Sequence, residues 1–202
     1  MTSPFAAAVT PGFTDPVLDA QAVFRAVLDA LAEPGTIRPV AGIASAPAPL
    51  APVQAAVALT LSDWETVLWR DSALRTPAID AWLAFHTGAP PSDDPARADF
   101  ALLAEAEAAP SWSAFALGSD VDPSRSTTVI LAVAGFGSGR RYRLSGPGIE
   151  GARDLVVAGA PADLAVRAAA NRVLFPRGVD LVLCGPDAVV GLPRTTRIEE
   201  VA

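Results

Sequence analysis

Helical periodicity alternates along this chain with short apolar runs, and that alternation restricts the fold more than any other feature. Residues 15–33, DPVLDAQAVFRAVLDALAE, bring Leu18, Phe24, Val27, Leu28 and Leu31 to one helical face. Asp15 stands where a helix wants a capping acceptor and Pro16 where the first turn tolerates a missing donor. Glu33-Pro34-Gly35 ends that helix, TIRPV from Thr36 reads as a short extended piece, and SAPAPLAP at 45–52 reads as a loop. PVQAAVALTLSD then predicts a helix and TVLWR at 66–70 a strand. TPAIDAWLAFHTG at 76–88 predicts a second amphipathic helix, closed by Gly88 and two prolines.

Strand-like runs follow at 98–104 (ADFALLA), 126–136 (STTVILAVAGF) and 140–146 (RRYRLSG), with a short helix expected near Ser113 to Leu117. PADLAVRAAANRVL at 161–174 predicts a third long helix. VDLVLCG (179–185) and AVVGLP (188–193) then alternate around Gly-Pro-Asp as a hairpin does. Helices interleaved with short apolar strands imply a layered α/β domain, and the neighbouring strands near the end imply a mixed sheet flanked by helices. Residues 1–14 read as an N-terminal extension and 15–202 as a single domain.

Composition closes several functional routes. The formal charge is -7 with only 18% charged residues, so no basic footprint exists for a nucleic-acid backbone or an acidic membrane surface. The longest apolar run, VILAVAGF at 129–136, is far short of the ~20 residues a membrane helix needs, and the amino terminus lacks a cationic leader. One cysteine, Cys184, can build neither a disulfide framework nor a zinc site, which fits a reducing, cytoplasmic setting with no metal. All fifteen cationic side chains are arginine. With no lysine, neither a Schiff base to pyridoxal phosphate nor a lysine-bearing phosphate loop can form. The 19 prolines and 15 glycines are what a GC-rich coding bias would also favour, and that bias accounts for much of the missing lysine.

Two glycine patterns suggest nucleotide loops and fail on context. GPGIEG at 146–151 follows a strand but leads into ARDLVVAG, another strand, instead of the helix whose amino terminus would meet a pyrophosphate; GFGSGRR at 135–141 leads into RRYRL, also extended. Both read as hairpin turns. His86, the one histidine, falls at a helix carboxyl end, where it either caps the helix by bonding a carbonyl or serves chemistry. Asp93-Asp94 and Glu199-Glu200 are adjacent, so in extended chain their side chains diverge and they read as solvated. PRTTR at 193–197 is the best anion-site candidate. Arginine forks match phosphate or phosphonate oxygens, and the threonine hydroxyls add donors. In a strand Arg194 and Thr196 would face away from Thr195 and Arg197, so one anion could be grasped only if the backbone bends, as Pro193 allows. The arginines could equally pair with Glu199, Glu200 or a partner subunit.

Taken in order, QAVFRAVLDALAEPGTI, LTLSDWETVLW, AFHTGAP, RLSGPGIEG, FPRGVDLVLCG and GLPRTTRIEEV resemble the PhnH subunit family of bacterial carbon-phosphorus lyase, from about Asp15 to Val201. The resemblance implies a subunit of the machinery that degrades alkylphosphonates. With companion subunits G, I and L, such a subunit supports transfer of a phosphonate such as methylphosphonate onto the ribose of a purine nucleoside triphosphate. It also implies a homodimer that joins a core complex with G, I and J, and a fold similar to pyridoxal-phosphate-dependent transferases without the cofactor.

The resemblance brings with it no catalytic residue set. The expected role is accessory or assembly, with no cofactor. The alternative is a direct phosphonate- or nucleotide-binding subunit using Arg194, Thr195, Thr196 and His86. A third reading, a free-standing homodimeric enzyme, requires activity from the chain by itself.

Overall fold

In the computed structural model, which describes residues 9–201, the first helix α1 (Pro16–Ala32) begins as its sequence directs. The Asp15 carboxylate accepts from the Val17 and Leu18 amides, and the cap at Glu33 closes the last turn onto the Asp29 carbonyl. The apolar spacing marked the buried face only in part, with Val27 buried and Leu31 packed against the core. Val23, Val27 and Ala30 turn inward, whereas Leu18, Phe24 and Leu28 are exposed. Spacing finds a helix but not its inner side when two stripes are apolar. The first eight residues of the expected extension lie outside the described residues; Val9 and Phe13 pack against the core.

Beyond α1 the elements are β1 (Arg38–Pro39), α2 (Pro52–Leu61), β2 (Leu68–Arg70), α3 (Pro77–Thr87), β3 (Pro91–Ser92), β4 (Phe100–Leu103) and β5 (Thr128–Ala132). Then come β6 (Gly135–Ser145), β7 (Arg153–Ala158), α4 (Leu164–Arg172), β8 (Asp180–Cys184), β9 (Ala188–Leu192) and β10 (Arg197–Val201). Seven strands form one sheet in the order β1-β9-β8-β5-β4-β2-β3, parallel from β8 to β3 and antiparallel at β9 and β1. The expected mixed sheet is present, and β8 and β9 pair as the expected hairpin. A second, antiparallel sheet, β10-β6-β7, packs against it.

Alternation along the strands divides the core in two. Leu102, Ile130, Val182, Cys184 and Val189 face the layer of α1, α2 and α3. Leu103, Val129, Leu131, Leu181, Leu183 and Val190 face α4 and the smaller sheet. Because both faces are covered, the central strands are apolar throughout, which is why they appear as continuous runs in the sequence.

GPGIEG joins β6 to β7 as expected, but GFGSGRR does not make a hairpin turn. Phe136 and Arg140 both pair with Val157, so the residues between them bulge out of a single continuous strand. Gly139, at φ +99, lies where a Cβ would come within 2.4 Å of the Val157 carbonyl oxygen, so glycine is required by both conformation and space. The helix expected near Ser113 to Leu117 is a single 3-10 turn, Trp112–Ala114.

Candidate functional site

The PRTT segment bends. Thr196 donates its amide to the Pro193 carbonyl at 2.9 Å, closing a turn between β9 and β10. Two other stretches of the chain, residues 123–126 and 176–180, meet the Arg194 side chain at that turn. Nε donates to Asp180 Oδ1 at 3.1 Å, Nη1 to the Pro123 and Pro176 carbonyls at 3.0 and 3.2 Å, and Nη2 to Ser126 Oγ and Asp180 Oδ2, each at 2.5 Å. The Arg194 backbone amide adds a bond to Asp180 Oδ1 at 2.7 Å. A guanidinium has five N–H donors, and every one is taken inside the protein. The partner is Asp180, neither Glu199 nor Glu200. Thr196 is buried with its hydroxyl unpartnered beside a void of about 10 Å³, and Arg197 faces Glu199 at 3.9 Å.

His86 lies on the opposite side of the large sheet, near the carboxyl end of α3. Its Nε2 is 3.0 Å from the Thr10 carbonyl, which also accepts from Trp82 Nε1 at 3.0 Å. It therefore bonds a carbonyl, but that of residues crossing α3 instead of its own helix. The Trp82 and Phe85 rings flank the imidazole at 4.7 and 5.0 Å. Arg194 belongs to the side of α4 and the smaller sheet, so the four candidate ligand residues do not converge on one point. Among the described residues, a cavity of about 530 Å³ lies between residues 11–14, α1 and residues 39–45, with Asp19 as the one charged residue on its wall.

At the carboxyl ends of the parallel strands, where open α/β sheets hold ligands, Asp71 and Gln54 are used in bracing. Asp71 Oδ1 accepts from Leu74, while Oδ2 accepts from Ala104 at 2.7 Å and Glu105 at 3.1 Å, tying β2 to the end of β4. From α2, Gln54 Nε2 donates to the Leu103 and Ile130 carbonyls at 2.9 Å each. Cys184 is fully buried, and burial pushes its thiol far above the ordinary range. Burial, reinforced by Glu200, also raises Tyr142, whose hydroxyl has no partner. Among the described residues, no three His, Cys, Asp or Glu side chains could hold a metal ion, and no helix is long and apolar enough to cross a membrane.

Sequence reasoning missed Asp180, Asp71 and Gln54. A signal existed for the first: Asp180 opens a strand of uninterrupted apolar residues, VDLVLC, where an unpaired carboxylate would be costly.

The sequence is similar to those of known proteins. The family described as bacterial phosphonate metabolism protein (PhnH) matches residues 11–199. The alpha-D-ribose 1-methylphosphonate 5-triphosphate synthase subunit PhnH of Rhizobium meliloti (strain 1021) is 42% identical over 187 residues, covering 93% of this chain and 94% of that protein. HtxG of Stutzerimonas stutzeri, named as a C-P lyase subunit protein, is 40% identical over 82 residues, 41% of this chain and 42% of its own.

Proposed function

The chain belongs to the bacterial phosphonate metabolism protein (PhnH) family, and from that premise we propose that it is an accessory subunit of the carbon-phosphorus lyase system. In this reading it supports, with partner subunits, formation of ribose 1-phosphonate 5-triphosphate from a purine nucleoside triphosphate and a phosphonate such as methylphosphonate. Residues 15–202 act as its single domain and residues 1–14 as an extension to it. It works in the cytoplasm as a homodimer within a complex that includes subunits G, I and J, with L acting alongside. The fold is a relative of pyridoxal-phosphate-dependent transferases that no longer carries the cofactor, a view that the missing lysine supports.

The observation that carries the accessory role is the outer side of α1. Val17, Leu18, Phe24 and Leu28 are 75, 62, 52 and 54% exposed, and Ile37 just beyond the helix is 50% exposed. Large side chains gathered on one helix face mark a surface that another protein covers. The rival reading, direct binding of phosphonate or nucleotide by Arg194, Thr195, Thr196 and His86, has less support, because the Arg194 donors are already engaged and His86 lies across the sheet.

The test is native mass spectrometry of the protein co-expressed with subunits G, I and J, beside calorimetry of the lone protein with ATP and methylphosphonate. The accessory role predicts a stable hetero-oligomer that Phe24→Arg disrupts, with no heat from ATP. Saturable ATP binding by the lone protein, abolished in Arg194→Ala while the fold persists, would establish the rival.

A further inference from the structure

A second buried arginine is in a different state from Arg194. Arg70 ends β2, on the α3 side of the sheet, and its side chain is only 10% exposed. Its Nη1 donates to the Asp80 carboxylate, the one hydrogen bond its guanidinium makes among the described residues. Nε and Nη2 have donors to spare. Arg70 and Asp80 line a pocket of about 210 Å³ whose remaining wall is aliphatic, from Leu68, Leu83, Ala84, Ala89 and Pro91.

A mostly buried guanidinium whose spare donors meet only the little water that reaches them gains from a better acceptor that takes the place of that water. The Nε and Nη2 donors form a flat edge that matches two oxygens of one oxyanion, while Asp80 holds the opposite side of the fork in place. Aliphatic walls add contact for a short alkyl group. The volume is below the roughly 300 Å³ at which pockets begin to take drug-sized molecules, so a nucleotide is too large.

We propose that Arg70 is the anion-binding residue of a small-ligand site between β2 and α3, and that the site takes an oxyanion carrying a short alkyl group. The ligand's oxygens meet the Nε–Nη2 edge and its alkyl group lies against Leu68, Leu83 and Ala84. An alkylphosphonate and a short fatty carboxylate share this chemistry. The inference rests on the pocket and not on the subunit role, so each can fail without the other.

Titration of the ¹⁵N-labelled protein with methylphosphonate, propionate and inorganic phosphate, followed at the Arg70 Nε–H resonance, tests it. The expected result is a saturable shift with the alkyl-bearing probes and weaker binding of phosphate; which alkyl probe binds tighter separates the two ligand sources. Arg70→Gln abolishes binding. Should that variant fail to fold, Ala84→Leu decides, because it narrows the rim of the pocket while keeping both the Arg70 and the Asp80 side chains, and binding should weaken by about tenfold or more. Asp80→Asn, which removes the competing negative charge, tightens binding by about threefold. No saturable shift in the wild type up to about 50 mM, or binding that Ala84→Leu leaves unchanged, overturns the proposal.

Discussion

Arg194 and Asp180 close the open end of the β8–β9 hairpin with three hydrogen bonds, two from the guanidinium and one from the backbone amide. The remaining arginine donors reach Pro123, Pro176 and Ser126, so one side chain fastens its own turn to residues 123–126 and to Pro176, which are far apart in sequence. With side-chain exposures of 12 and 24%, neither charge has water enough to replace the other.

Arg194→Ala therefore destabilises the fold by about 3 kcal/mol, the usual cost of leaving one member of a buried pair alone. The double variant Arg194→Met with Asp180→Leu loses less than the single alanine change, because no carboxylate is then stranded. Urea denaturation of the three proteins measures this. Equal losses in all three would show that Asp180 finds another partner.

Gly191 of β9 faces α1 so closely that a Cβ there would lie 2.6 Å from the Ala30 carbonyl carbon and oxygen and 2.7 Å from the Leu31 amide nitrogen. All are backbone atoms. The helix must move as a body to admit a methyl group, so Gly191→Ala costs about 2–3 kcal/mol. Ala30→Gly in the same protein gives no rescue, since it removes none of the clashing atoms. Thermal unfolding of the single and double variants decides: recovery in the double would place the conflict at the Ala30 side chain.

The sequence carried the local features of the fold and lost the long-range ones. Asp15, Pro16 and Glu33-Pro34-Gly35 mark both ends of α1 because caps are set by residues a few positions apart. The GPD turn and the β8–β9 pairing are local in the same sense. The order of the parallel strands is not, since each crossover passes through a helix or long loop. The candidate site divides likewise. Pro193 predicted the bend, whereas Asp180, fourteen residues earlier, could be matched to Arg194 only through the hairpin register. GFGSGRR misled because glycines that serve a bulge and glycines that serve a turn look alike until the partner strand is known.

Cys184 gives a pH prediction. Its folded value is raised above the ordinary 9.0, so above about pH 9 the unfolded chain releases the thiol proton while the native chain keeps it. The native state thus binds more protons there, and stability present below that pH is lost as pH rises. Between pH 8 and 10.5 this single group removes about 2 kcal/mol. Cys184→Ala is less stable at pH 8 but has a shallower alkaline decline, so the gap between the variants narrows with pH. A gap that stays constant in urea midpoints would contradict the burial. Native protein should also resist a thiol reagent until it unfolds.

The Thr10 carbonyl carries two donors, the Trp82 indole and the His86 imidazole, while the Pro11 carbonyl accepts from Ser45 Oγ at 2.6 Å. These bonds, and the close packing of Gly12 on the Leu59 side chain and the His86 ring, hold residues 10–12 against α2 and α3. Each such bond is worth about 1 kcal/mol, so His86→Ala and Trp82→Phe should each loosen the segment without unfolding the domain. Hydrogen exchange of a peptide covering residues 9–14 should rise severalfold in either variant and further in both together. If His86 instead serves ligand chemistry alone, exchange stays at the wild-type rate in His86→Ala, and only binding changes. Faster exchange with unaltered binding would assign the one imidazole of this chain to holding down its own amino-terminal segment.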